Sequence, residues 1–157
     1  MNKSLLLIAL LILAFASCTK KEDKKKFSDT PNLEFINVSD TSISYNDTGK
    51  WVCRLRFTDG DGNIGTDPTE AEMLIQIRDS RKDQAYPYPF PFIPGSDRNH
   101  KYLEGMLDIV LSKKAFFLPR YDSAHMTHDT FHYEIYMLDT DSNVSNLIIT
   151  PTLYVHP

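Results

Sequence analysis

Paired cysteines, glycine, basic charge and helical periodicity are all scarce in this chain, and each scarcity closes a class of function. There are 2 cysteines, Cys18 and Cys53. Cys18 closes the apolar run near the N-terminus and lies outside the body of the chain, so Cys53 lacks a partner there and no internal disulfide framework is expected. There are 6 glycines, and none builds the glycine-rich, phosphate-cradling loop that joins a strand to a helix in nucleotide-binding proteins. No nucleophile-elbow pattern occurs either. The six lysines and two acids of the first 26 residues leave 11 basic and 19 acidic side chains for residues 27–157, a net charge of −8. A domain of that sign repels phosphates, which excludes nucleic acid as a partner. The one long apolar run, Leu5 to Phe15, is shorter than the ~20 residues a membrane-spanning helix requires.

That run has a purpose at the N-terminus. It follows Lys3 and ends in Ala16-Ser17-Cys18, the order of a secretory signal: positive start, short apolar stretch, small residues. The cysteine at the end of the small residues resembles the lipobox of bacterial lipoproteins, with Phe15 where leucine is usual. The resemblance implies that residues 1–17 are a signal peptide and that Cys18 is lipidated and becomes the mature N-terminus. Residues 18–32 then form a charged tether, in which Lys20 to Lys26 carry a net +3 and Pro31 closes the stretch. Such a tether reaches at most ~50 Å and suits an anionic membrane surface or plain solvent.

Residues 33–157 read as one domain with enough chain for a real core. Trp51 to Thr58 alternates cleanly, with Trp51, Cys53, Leu55 and Phe57 on one side and Arg54, Arg56 and Thr58 on the other. The same period of two marks Met73–Arg78, Tyr102–Leu111 and Phe131–Leu138, and further strands are expected at Leu33–Val38 and Leu147–Val155. The expected fold is an all-β, immunoglobulin-like antiparallel β-sandwich of about seven strands. Trp51 and Cys53 are expected to supply core bulk.

Two loops after strands share the spacing D-x-D-x-N: Asp59-Gly60-Asp61-Gly62-Asn63 and Asp139-Thr140-Asp141-Ser142-Asn143. Alternate oxygens on a tightly turning backbone are what a hard cation such as Ca²⁺ requires. Asp59, Asp61, Asn63, Asp67 and Glu70 even fall at places 1, 3, 5, 9 and 12 of the helix-loop-helix calcium loop. Ile64, however, takes the place of its obligatory glycine, and a strand precedes it, which argues against that module. If the two strands are the B and F strands of a sandwich, their loops emerge at one pole and the oxygens of Asp59, Asp61, Asn63, Asp67, Asp139, Asp141 and Asn143 converge. Asp, Asn and Gly are also the ordinary turn residues, so the pattern reads equally as plain turns.

The stretch Leu55 to Gly65, with Phe57-Thr58-Asp59-Gly60-Asp61-Gly62-Asn63-Ile64-Gly65, resembles the F-T-D-G-D-G-D-I-G signature of many small lipoproteins of the Bacteroidetes. The tail Asp139 to Asn146, followed by Ile149-Thr150-Pro151, is similar to their closing pattern. Asn63 replaces the third aspartate. The resemblance implies the sandwich fold and an envelope location rather than an activity. Lys21-Glu22-Asp23 resembles the tag that sends such lipoproteins to the outer face of the outer membrane, and Asp122-Ser123-Ala124 resembles their O-glycosylation site.

Two other constellations are candidates. Tyr86-Pro87-Tyr88-Pro89-Phe90-Pro91-Phe92 alternates aromatics with prolines, so it belongs in a polyproline-II segment or an edge strand. Tyr86, Tyr88, Phe90 and Phe92 then form a row that either stacks on a sugar ring or partner protein, or covers an open end of the sandwich. His125, His128 and His132 surround Asp129 at spacings seen in zinc sites and, with Asp122 and Ser123, contain the residue types of a hydrolase. The expected function is a non-catalytic binding or assembly module on an outer-membrane lipoprotein exposed at the cell surface, with calcium at its end loops. The alternatives are an envelope hydrolase using the histidine loop and a purely structural adaptor of a larger envelope complex.

Overall fold

The alternation at Trp51–Thr58 is carried by a ten-residue strand, β3 (Lys50–Asp59), whose inward side chains Trp51, Cys53, Leu55 and Phe57 are all buried. A computed structural model describes residues 27–67, 72–95, 102–114 and 128–157. The signal peptide, Cys18, the tether as far as Lys26, Glu70, Asp122, Ser123, Ala124 and His125 lie outside the described residues. On either side of β3 run β1 (Asn32–Val38) and β6 (Leu103–Ser112), both antiparallel to it. β6 buries Leu103, Leu107, Ile109 and Leu111 on the face the period of two assigns to them.

The opposite layer is built from β5 (Ala85–Phe90), β4 (Glu72–Asp79), β8 (Tyr133–Met137) and β9 (Ile148–Ile149), paired in that order. A further ladder joins β2 (Ser42–Ser44), β10 (Leu153–His156) and β7 (Asp129–Phe131). It continues the second layer. β7 and β8 are one strand interrupted at His132, whose N–H donates to Ser80 Oγ at 3.0 Å while its carbonyl accepts from Ser80 N–H. The expected strand Leu147–Val155 is likewise divided. Pro151 offers no ladder donor, and Thr150 instead closes on Tyr133 through both its backbone N–H and its hydroxyl oxygen, each at 2.9 Å. After that bend β10 pairs with β7 and, in parallel, with β2. β2 has only three residues, too few for any alternation to be visible in the sequence.

The layers meet through Trp51 against Tyr133, ring centres 5.3 Å apart, and Phe57 edge-on to Phe90 at 5.2 Å. The first and second long strands pair in one layer, with β6 beside them; β4 and β8 pair in the other, and the second long strand is followed by a crossing to β4. This is a two-layer, all-β sandwich arrangement. Cys53 is a free, buried thiol, as expected; burial, with the charge of Asp108 adding, pushes it up to about 12. β5 is an edge strand, which is where Pro87 and Pro89 are tolerated.

The register also fixes what the second layer shows to solvent. Leu74 lies beside Leu138, Leu138 bridges Val144, and Glu134 pairs with Ile149. Val144, Leu147 and Ile149 are exposed at 52 %, 50 % and 59 %, and Tyr136 and Leu138 beside them are half-buried.

Candidate metal centre

The two acidic loops emerge at one pole because the strands that deliver them, β3 and β8, run in the same direction in facing layers. β3 ends on Asp59, which is wholly buried. The chain then folds back tightly enough for the Asn63 N–H to donate to Asp59 Oδ2 at 3.0 Å. Gly62 and Gly65 take left-handed φ values of 69° and 61° in this turn, a region that other L-residues occupy only at a cost. A side chain on Gly65 would also meet the Pro91 carbonyl oxygen at 2.6 Å. Ile64 between them is fully buried, which is why an apolar residue occupies the place where a helix-loop-helix module needs glycine.

After β8, Asp139 is 3 % exposed and is gripped by its own loop. Asn143 donates to it twice, from the backbone N–H to Oδ1 and from Nδ2 to Oδ2, both at 2.8 Å. Ser145 then closes the loop: its hydroxyl oxygen accepts from Met137 N–H at 2.9 Å. The loops are tied to each other across the layers. Asn63 Nδ2 donates to Asp141 Oδ2 at 3.0 Å and lies 3.4 Å from Asp61 Oδ2, and the Thr140 hydroxyl donates to the Asn63 carbonyl at 2.9 Å.

The outcome is a convergence of Asp59, Asp61 and Asp139, each of which offers a carboxylate oxygen within 4.8 Å of the other two. Asp59 and Asp139 are buried and Asp61 is exposed. This acidic group can hold a metal ion. Among the described residues no lysine or arginine pairs with any of the three. Asp59 Oδ1 and Asn63 Oδ1 are buried and accept no hydrogen bond from the described residues, a situation that is costly for polar oxygens. Burial above all, then the negative charge of Asp61, pushes the Asp59 carboxyl up to about 6; the Asn63 N–H works in the opposite direction, and Asp139 adds to the rise. Three clustered carboxylates, one of them with a buried oxygen that accepts no bond from the described residues, are a group that either shares protons or takes a cation.

Of the five aspartates expected from sequence, Asp59, Asp61 and Asp139 therefore come together. Asn63, Asp141 and Asn143 hold the two loops in place. Asp67 is not part of the converging group: its N–H donates to Glu72 Oε1 at 2.8 Å. Glu72 is a residue that spacing did not mark. Its carboxylate also accepts from Gly65 N–H at 2.8 Å, from Thr66 N–H at 2.5 Å and from the Thr66 hydroxyl at 2.8 Å. Burial raises its pKa, but these donors outweigh it and hold Glu72 below the usual range. Glu72 is thus the clasp of the loop after Ile64. Nothing in its local sequence marks this, because the clasp depends on β4 returning beside the loop.

The aromatic row requires a correction. Pairing of Tyr86 with Ile77 and Tyr88 with Ile75 places the aromatic side of β5 on the same face as the inward isoleucines. Phe90 is accordingly 2 % exposed, edge-on to Phe57, and is not available to a ligand. Tyr88 is half-buried, and its hydroxyl accepts from Val110 N–H at 3.0 Å, which satisfies the edge of β6. Only Tyr86, at 38 %, and Phe92, at 44 %, remain exposed, and Lys82 Nζ stands 5.3 Å from the Tyr86 ring.

Of the candidate histidines, the described His132 lies away from the acidic pole. His132 precedes Asp139 by seven residues, roughly 23 Å along an extended strand. Its Nε2 is 3.6 Å from Glu134 Oε1. Asp129 is engaged by Arg81 at 2.6 Å, and His128 is exposed. No helix among the described residues is long and apolar enough to cross a membrane. No protein-family model matches this chain, and no curated protein matches it.

Proposed function

We propose that this chain is a non-catalytic, lipid-anchored envelope lipoprotein whose β-sandwich is a binding or assembly module with Ca²⁺ fixed between its end loops. The observation that carries the metal reading is the convergence of Asp59, Asp61 and Asp139 around a buried Asp59 oxygen that has no donor among the described residues. Calcium is the cation that the donors favour. They are all oxygens, which is a poor set for zinc. They come from two irregular loops, which suits the flexible six- to eight-fold shell of Ca²⁺ better than the strict octahedron of Mg²⁺. An exported calcium module binds in the range of ~10⁻⁴–10⁻³ M.

The anchoring rests on the lipobox-like Ala16-Ser17-Cys18 and the lysine-rich tether behind it. The assembly role is supported by the row of exposed apolar side chains, Val144, Leu147 and Ile149, on the outer face of the second layer, since contiguous apolar surface on a sheet favours a protein partner. With Phe90 buried and Tyr88 tied to β6, too few free rings remain to favour a glycan platform.

Thermal unfolding of metal-stripped protein during a calcium titration tests the central claim. A ligand that binds only the folded chain stabilises it by about 2.7 kcal/mol at 100 times its dissociation constant, so the midpoint should climb steadily to ~10 mM Ca²⁺. A flat midpoint across that range would refute the calcium reading. Anchoring is tested separately: Cys18→Ala should abolish incorporation of a labelled fatty acid in cells.

A further inference from the structure

The segment that leads into the sandwich is held by the same two loops that carry the carboxylates. A Cβ built on Gly60, between Asp59 and Asp61, would collide with the carbonyl oxygens of Phe27 and Ser28. The backbone of the incoming segment thus lies directly against the first acidic loop. Phe27 stacks edge-on against Tyr102 at 5.3 Å, just before β6, where Leu103 pairs with Asp59. From the second loop, Asn146 grips the segment in the manner of a strand partner. Its Oδ1 accepts from Leu33 N–H at 2.8 Å, and its Nδ2 donates to the Leu33 carbonyl at 2.9 Å. Residues 27–33 therefore bridge the two loops on the outside, and the carboxylate cluster bridges them on the inside.

We propose that cation binding and the seating of residues 27–33 are coupled, so that calcium sets where and how the tether leaves the domain. The proposal rests on the calcium reading above. In the absence of a cation, repulsion among Asp59, Asp61 and Asp139 pushes the loops apart and loosens both grips on the segment. With a cation bound, the loops are drawn together and the exit point is fixed. Such coupling is reciprocal: whatever factor calcium adds to the seating of the segment, the seated segment adds to calcium affinity. For a lipid-anchored domain, this makes the cation a control on the domain's orientation at the membrane surface. Extracellular calcium would hold the sandwich at one attitude, and its removal would release it to swing on the tether.

Hydrogen exchange of the peptide covering residues 27–33, measured by mass spectrometry on the full mature chain with and without Ca²⁺, tests this. Calcium should slow exchange there by about five-fold or more, the lower end of ordinary coupling. Gly60→Ala displaces the segment without touching a carboxylate. Gly60 is not among the residues with positive φ, so the substitution strains no backbone angle. In this variant calcium should still raise the unfolding midpoint, with about five-fold weaker affinity, while exchange at 27–33 becomes fast and insensitive to calcium. Asn146→Ala, which removes the two bonds to Leu33, should behave in the same way and serves if Gly60→Ala does not fold. If calcium stabilises the native chain yet leaves exchange at 27–33 unchanged, the coupling is overturned and the metal site stands. If exchange at 27–33 remains calcium-dependent in both variants, the coupling is also overturned. If calcium neither stabilises the chain nor alters exchange, the metal reading itself has failed and the coupling falls with it.

Discussion

Asp59→Asn should make the metal-free protein more stable at neutral pH and remove its response to calcium. The Asp59 carboxyl is raised from an ordinary 3.8 to about 6 in the fold. A carboxyl raised in the folded state favours the protonated form. The contribution of this group is therefore fully present below about pH 4 and is lost as pH rises through about 6. Above that, the ionised group costs the metal-free fold roughly 3 kcal/mol, at about 1.4 kcal/mol for each pH unit between the two values. Asparagine keeps an acceptor for the Asn63 N–H, now at 3.0 Å from Asp59 Oδ2, and removes the charge. At about pH 8 in a chelator the variant should therefore gain up to roughly 3 kcal/mol, near 10 °C in Tm for a domain of this size. At about pH 4 it should gain almost nothing. In ~10 mM Ca²⁺ the gap closes or nearly closes: the native chain gains about 1.4–2.7 kcal/mol, at roughly 10 to 100 times its dissociation constant, and the variant does not. Thermal or urea unfolding at several pH values, with chelator or with calcium, measures every term. A variant no more stable than the native chain at pH 8 without metal, or one that retains the full calcium response, would refute the reasoning.

Three further outcomes follow from the packing. Phe90→Ala should cost about 3–5 kcal/mol because it empties a buried site against Phe57. Phe92→Ala, at an exposed ring, should stay within about 0.5 kcal/mol, and chemical denaturation of the pair checks the correction to the aromatic row. Arg81 donates to both oxygens of Asp79, at 2.9 and 2.6 Å, and to Asp129, while lying 3.7 Å over the Phe131 ring. Arg81→Leu would leave Asp79, 3 % exposed, as an uncompensated buried charge, and urea unfolding should show a loss of about 3–5 kcal/mol. Cys53, buried and with its thiol pushed up to about 12, should resist alkylating reagents in the native protein and react promptly in urea; rapid modification of the native protein would contradict its burial.

The sequence by itself determined the all-β class, the burial of alternate residues in β3, β6 and β8, and that the proline-rich stretch lies in an edge strand or a polyproline-II segment and not inside a sheet. These follow from local rules: the pleat alternates side chains with a period of two, and proline lacks a ladder donor. It also named both acidic loops, because tight turns and hard-cation sites use the same residues, Asp, Asn and Gly. It did not separate Asp59, Asp61 and Asp139, which converge, from Asp67, which is drawn onto Glu72. That difference depends on β4 returning beside the first loop, a contact with no local signature. Tertiary structure alone decided that Phe90 belongs to the core, since the side facing the interior is set by pairing with β4 and not by the spacing of aromatics. It also decided that Gly60 and Asn146 hold the incoming segment: one offers the missing side chain that lets a backbone pass, the other two hydrogen bonds to a residue more than a hundred positions away. Local propensity writes strands and turns into a sequence, whereas the meeting of two loops at a pole is a property of the layers that carry them.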